Sequence, residues 1–346
     1  MNPFAAYRAI NTKIHSKRKV LLSKNEWGKV AEFNHINQMI DFLKKRDGYK
    51  ALIENHKGEE LNRVDLEMML DGYIVKEIEV MLHYFSGSYK EFFKTFLMEY
   101  EISDLQLLLR CISRNEDLES ARRFFVHSEK WGISQYNKLL SCSSVNQFIE
   151  ALKGTVYYSA IKNLTQEDMD KREFHMEMQL YILFYKTLME RASKLNKVDE
   201  VLAKQMIGTK ADFINAQWIY RANKYYDVSP EEILIYSLPC GNKLTYKKLK
   251  TLSYTNNIDE LKNKIEEYLG YPLFENGEDA FIECRTDSYL LKYVGQLGRE
   301  GESIQAAIAY IYTLQIEVND LVALTEGVRY ALLENELRKY LVHTIL

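Results

Sequence analysis

Proline occurs only four times and glycine fifteen times in 346 residues. With so few residues that remove a backbone donor or loosen a turn, helix is favoured almost throughout. No stretch alternates polar and apolar residues as a half-buried strand would. Cysteine is equally sparse. Cys111, Cys142, Cys240 and Cys284 are isolated and share no CxxC spacing, and they read as reduced thiols in a cytoplasmic protein. There is no basic excess either: 46 Lys and Arg stand against 49 Asp and Glu, a formal net charge of −3. Nothing is therefore available to neutralise phosphates in bulk, and nucleic acid is not an expected partner. Long apolar runs are missing as well. The longest uncharged helical candidate, residues 304–316, is well short of the roughly 20 residues that a membrane span needs. Lys13, Lys17, Arg18 and Lys19 precede no long apolar run, so no signal peptide is read.

Short catalytic motifs are also absent. The chain holds no GxxxxGK[ST], GxSxG or HExxH, which removes a phosphate-cradling loop, a nucleophile elbow and a helical zinc pair. His15, His35, His56, His83, His127, His175 and His343 are too far apart to make a local metal pair. Gly295, Gly298 and Gly301 miss the dinucleotide spacing and follow no strand, so GQLGREG reads as a loop at a helix end. Asn319-Asp320 begins a string like the NDxxSxxxE magnesium motif of helical terpene cyclases, but Ala323 and Gly327 occupy its later ligand positions. No catalytic, cofactor-binding or metal-ligating residue is assigned.

What the chain does contain is repetition. DFINAQWIYRANKYY, residues 212–226, has counterparts in EISDLQLLLRCISR from Glu101 and EVNDLVALTEGVRY from Glu317. Each opens with an acid and continues mostly apolar. The acids are spaced by 111 and then 105 residues. FAAYRAINTKI near the start reads as a truncated further copy. Arg8, Arg110 and Arg221 hold one position of the repeat, where the last copy has Glu326. A second set of segments closes on Tyr49 in DGYKALI, Tyr157 in TVYYSAI and Tyr271 in LGYPLF, spaced by 108 and 114. Trp27 and Trp131 stand near the start of two of these, each followed by glycine. Two marker sets at one period signal internal repeats.

Between the markers the pattern is helical. Leu66, Met69, Leu70, Tyr73, Ile74, Ile78, Met81, Leu82 and Phe85 step by three and four. Residues 174–188 are apolar nearly all round, as in a buried helix. Ser229-Pro230-Glu231-Glu232 is a capping box with proline at the first helical position. These features predict an all-α chain of three similar units, residues 1–100, 101–211 and 212–346. The last long helix packs where the first unit lacks a partner, which closes the set with pseudo-threefold symmetry.

The repeated acid and arginine are nine positions apart, on opposite faces of a helix that turns about 100° per residue. They cannot pair with each other. Either each bridges to a neighbouring unit, or Arg8, Arg110 and Arg221 line a central opening and meet an acidic partner. Glu326 would then replace that partner inside the body. Two basic clusters, Lys17-Arg18-Lys19 and Lys243, Lys247, Lys248 and Lys250, are solvated faces or contacts for a partner or lipid headgroups.

The ordered set of DGYKALI, TVYYSAI, LGYPLF, KADFINAQWIYRANKYY followed by SPEEI, and IEVNDLVALTEGVRYAL resembles the central-stalk C subunit of A/V-type ATPases. That family is the counterpart of the eukaryotic V-ATPase d subunit, and the resemblance runs over essentially the whole chain. It implies a funnel-shaped, non-catalytic rotor subunit without a cofactor, on the cytoplasmic face of the membrane and peripheral to it. Its partners would be central-shaft subunits of the D and F type and the proteolipid ring. It would link ATP hydrolysis or synthesis to proton or sodium transport. The other reading is a soluble helical scaffold that binds peptides or partner helices outside any ATPase.

Overall fold

The computed structural model describes residues 3–54, 63–171, 173–226, 228–274, 279–297 and 303–345. Every regular element among them is helical. They gather into two compact bodies. One joins the start of the chain to its end, residues 1–85 with 272–346, and the other is residues 86–271.

The first body is built on helix Gln305–Arg329, in which every residue from Gln305 to Tyr312 is buried. A helix apolar on all sides must be covered on all sides. Helices Pro3–Arg18, Arg63–Leu82 and Ile282–Leu297 pack against it. Polar groups are carried into this core as well, among them Glu77, 6% exposed. Lys17 Nζ lies 2.6 Å from Glu77 Oε1, and the Tyr310 hydroxyl donates to Oε2 at 2.7 Å. The last long helix thus packs on the first helix of the chain.

The second body centres on helix Lys197–Tyr225. It packs against Phe174–Ala192 and Ile258–Leu269, and Phe174–Ala192 also covers Gly87–Thr95 and Met98–Ser113. The predicted capping box forms: Glu232 N–H donates to Ser229 Oγ at 3.2 Å, and Ser229 N–H donates to Glu232 Oε2 at 3.1 Å.

Several element boundaries differ from the sequence reading. The Trp27-to-Tyr49 element is three helices, Lys24–Val30, Ile36–Leu43 and Asp47–Glu54. Trp27 lies inside the first of these, whereas Trp131 lies in a turn closed by its N–H to Ser128 Oγ at 3.0 Å. The two Trp-Gly pairs are therefore not structural equivalents. The long helix expected from Asp212 begins fifteen residues earlier, at Lys197. Asn196 starts it, accepting from Asp199 N–H at 3.0 Å, and Asp212 lies in its interior. Of the GQLGREG loop, Gly298 and Gly301 lie outside the described residues.

Candidate functional site

Of the recurring acids, Glu101 lies in the first turn of helix Met98–Ser113, while Asp212 and Glu317 lie well inside their helices. All three are buried sockets that hold distant backbone to the long helices. Glu101, 3% exposed, accepts from Ile133 N–H at 2.9 Å, Ser134 N–H at 2.6 Å and the Tyr157 hydroxyl at 2.8 Å. Asp212, 1% exposed, accepts from three successive N–H groups: Asn242 at 3.1 Å, Lys243 at 2.8 Å and Leu244 at 2.8 Å. Glu317 is fully buried. It accepts from Leu22 N–H at 2.8 Å and from the Tyr49 hydroxyl at 2.5 Å. In sequence, Glu101 and Asp212 reach forward about thirty residues, while Glu317 reaches back 295. The final copy is completed by the start of the chain.

One turn after each acid is a second polar residue with the same task. Asp104 accepts from Val126 N–H at 3.1 Å and His127 N–H at 3.0 Å. Asp320 accepts from Val342 N–H at 3.0 Å and His343 N–H at 2.9 Å. Asn215 uses both ends of its amide on one residue, accepting from Leu238 N–H at 2.6 Å and donating to Leu238 O at 2.9 Å. The histidines repeat too. Nδ1 of His127 and of His343 is 2.7 Å from its aspartate, and each imidazole is stacked, on Tyr136 and on Trp27 respectively. Asp320, the residue that suggested a magnesium motif, is thus engaged by the backbone of the last helical turn.

Burial dominates the electrostatics of these groups. It pushes the Glu317 carboxyl above the usual carboxylate range, against the Tyr49 hydroxyl and Leu22 N–H that favour the charged form. It does the same to Asp212 against three N–H donors. Burial and the adjacent Glu317 and Glu101 hold the Tyr49 and Tyr157 hydroxyls well above the ordinary phenol range, as donors. Tyr271, which closes the third segment, sets its ring edge-on against Phe213, the neighbour of Asp212, with centroids 5.9 Å apart.

The repeated arginine position also resolves. Arg110 forms ion pairs with Glu173 and Glu177, brought by the neighbouring helix segment. Glu326 pairs with Arg63 at 2.6 Å, and Arg63 also holds Glu67 at 2.6 Å. Both arrangements are one arginine between two glutamates, with the signs exchanged between helices. Arg221 is exposed near the end of its helix, and the side chain of Arg8 lies outside those described.

The basic clusters divide. Lys17 is committed to the Glu77 pair, and Arg18 is half-buried, its guanidinium pKa lowered by that burial. Lys19 is exposed. Lys243 donates to Leu269 O at the end of helix Ile258–Leu269, and Lys248 lies 4.7 Å from the Tyr268 ring centroid. Lys247 and Lys250 remain exposed. All four cysteines are free, and burial pushes the Cys240 and Cys284 thiols up to about 12. Among the described residues no group of His, Cys, Asp and Glu is placed to hold a metal ion, and no helix is long and apolar enough to cross a membrane.

Sequence comparisons place these features in a family. The sequence model described as ATP synthase (C/AC39) subunit matches residues 10–340. The chain is similar to the C subunits of A-type ATP synthases from three archaea. It is 24% identical to that of Archaeoglobus fulgidus over 344 residues, 97% of this chain and 96% of the relative. It is 23% identical to that of Methanosarcina acetivorans over 324 residues, 91% and 87% of the two chains. It is 21% identical to that of Thermococcus kodakarensis over 336 residues, 93% and 87%.

Proposed function

The chain belongs to the ATP synthase (C/AC39) subunit family, and from that premise we propose that it is a non-catalytic rotor subunit of an A/V-type ATPase. In this reading it is the socket between the rotating central shaft and the membrane rotor ring. Shaft subunits of the D and F type enter one face of a funnel of three helical units, and the proteolipid ring meets the other. The protein sits peripherally on the cytoplasmic face and links ATP hydrolysis or synthesis to proton or sodium movement. The observation that carries the proposal is the end-to-end match with archaeal ATP synthase C subunits.

The buried acids give the reading a physical basis. A part that transmits torque must not yield between its elements. Backbone loops tied to buried acids, with several hydrogen bonds per acid, open less readily than loops held by exposed contacts. The partner-interface candidates are those named from the sequence: Arg8, Arg110, Arg221, Lys17, Arg18, Lys19, Lys243, Lys247 and Lys248. Lys19 and Lys247 are foremost, because most of the others that are described are half-buried, paired or engaged within the chain.

Depletion of the chain from membranes tests the proposal. ATP hydrolysis by the catalytic head should persist while ATP-driven ion uptake into vesicles is lost, and adding back the purified chain should restore uptake. Ion uptake that stays coupled without the chain would refute the proposal.

A further inference from the structure

The second body gathers exposed apolar side chains at one place. Among its described residues nine large apolar side chains are exposed, and five of these lie within residues 225–254: Tyr225, Tyr226, Ile235, Tyr246 and Tyr254. Contacts between three helices bring them together. Helix Pro230–Ile235 packs on helix Tyr246–Ser253, and the Tyr254 hydroxyl donates to Glu231 Oε1 at 2.6 Å. The rings of Tyr226 and Tyr236 lie 5.8 and 5.9 Å from that of Phe174, which sets the end of helix Lys197–Tyr225 close to Ile235. Ile235 is 63% and Tyr246 71% exposed, so most of each side chain faces solvent.

Positive charge is interleaved with these rings. Helix Tyr246–Ser253 turns Leu249, Leu252 and Ser253 inward. At about 100° per residue its outward side carries Tyr246, Lys247 and Lys250, and Tyr254 continues it. All four are exposed, and no acid occurs between 246 and 254. Among the described residues neither Lys247 nor Lys250 has a carboxylate at salt-bridge distance, and Lys250 lies 6.0 Å from the Tyr254 ring centroid. Lys224 lies 4.9 Å from the Tyr225 ring centroid. The acids of the neighbouring helix are engaged, Glu231 by Tyr254 and Glu232 by the capping box. On the helix that follows, Asp259 is exposed and Glu260 pairs with Lys264 at 2.6 Å.

We propose that this face, Tyr246, Lys247, Lys250 and Tyr254 with Ile235, docks on a membrane surface of anionic lipid headgroups. Tyrosine and lysine share one build, an apolar body with a polar tip. At a bilayer surface the body lies against the acyl boundary while the tip reaches the headgroups. Each lysine near an anionic leaflet raises partitioning roughly fivefold. Protein interfaces are enriched in tyrosine but depleted of lysine. A face that mixes the two without an acid therefore matches headgroups better than a protein partner. The contact involves only the chain and lipid, so it stands or falls apart from the rotor proposal.

Sedimentation of the purified full chain with vesicles tests it, using phosphatidylcholine alone and phosphatidylcholine with phosphatidylglycerol. Wild type should sediment with the phosphatidylglycerol vesicles, less so as salt rises, and little with phosphatidylcholine alone. Lys247→Gln with Lys250→Gln should weaken that binding roughly tenfold or more and flatten its salt dependence. Ile235→Ser with Tyr246→Ser should weaken it several-fold at every salt concentration, through lost apolar contact. These side chains are exposed, so each variant should keep the thermal midpoint of wild type. Lys44→Gln with Lys50→Gln removes the same charge from exposed positions in the first body and should leave binding unchanged. No binding of wild type to phosphatidylglycerol vesicles overturns the proposal, as does wild-type binding by the Lys247, Lys250 variant or an equal loss in the Lys44, Lys50 variant. Wild type that ignores vesicles, with face variants that no longer recover ATPase subunits from membranes, assigns the face to a protein partner and overturns it too.

Discussion

Glu101, Asp212 and Glu317 are held chiefly by backbone N–H groups and tyrosine hydroxyls, and this sets what substitution should do. Removing a buried acceptor strands its donors, at roughly 1–3 kcal/mol for each donor left unsatisfied. Glu101→Ala strands two N–H groups and the Tyr157 hydroxyl, so it should destabilise the chain by about 3 kcal/mol or more. Tyr157→Phe leaves the carboxylate with its two N–H donors and should cost only about 1 kcal/mol. Urea midpoints at unchanged slope would check the ranking, and equal losses would contradict it. Glu317 predicts a pH dependence. Its carboxyl is raised in the folded chain above its ordinary value of 4.5. Between the unfolded and folded values the folded state binds more protons, so rising pH lowers stability through that window. The group's favourable contribution is therefore fully present at low pH and lost as pH rises through the folded value. Glu317→Gln cannot ionise. The stability difference between variant and wild type should shift in favour of the variant as pH rises above the unfolded carboxylate value, then level off. A difference that is flat with pH would contradict the burial argument.

At the scale of elements, the close approach of loop to helix requires glycine. A Cβ on Gly241 would collide with Asp212 Oδ1, and one on Gly208 would collide with Asn242 Oδ1. Gly241→Ala should push the 242–244 backbone off its acid and destabilise by about 1–3 kcal/mol, read as a lower thermal midpoint and faster amide exchange at Asn242, Lys243 and Leu244. Exchange unchanged at those three amides would show that the socket tolerates the methyl. Much of this level was legible in the sequence. Helical periodicity placed the stripe from Leu66 and residues 174–188 in helices, because those helices bury apolar side chains along their length, although the first helix ends at Leu82, short of Phe85, and the capping box at Ser229 marked a true helix start. The role of the repeated acids was not legible. An acid heading an apolar run resembles a helix N-terminus, and nothing local shows that its partners are backbone N–H groups about thirty residues ahead or 295 behind. The signal that was present was Asn196 with Asp199 three residues on, which starts the long helix before Asp212. The constant spacing of 23 residues from Asp104, Asn215 and Asp320 to their partners is likewise visible in the numbering only once the contacts are known.

For the whole molecule, the repeat showed itself in the sequence as a spacing and in the structure as a contact. The last acid, Glu317, takes Leu22 and Tyr49 where Glu101 takes Ile133, Ser134 and Tyr157, so the two ends of the chain make one copy between them. The exchanged arginine and glutamate at Arg110 and Glu326 show why residue identity at one repeat position failed as a guide: the ion pair is retained while its signs trade helices. Which surfaces meet partners was not legible, because exposed lysines look alike whether solvated or docked. The central claim is membership of a rotor, and a mild-detergent pull-down from native membranes with this chain as bait, read by mass spectrometry, tests it most directly. Recovery of central-shaft and ring subunits together in one complex is the predicted result. Recovery of soluble proteins alone, with no ATPase subunit, would contradict it.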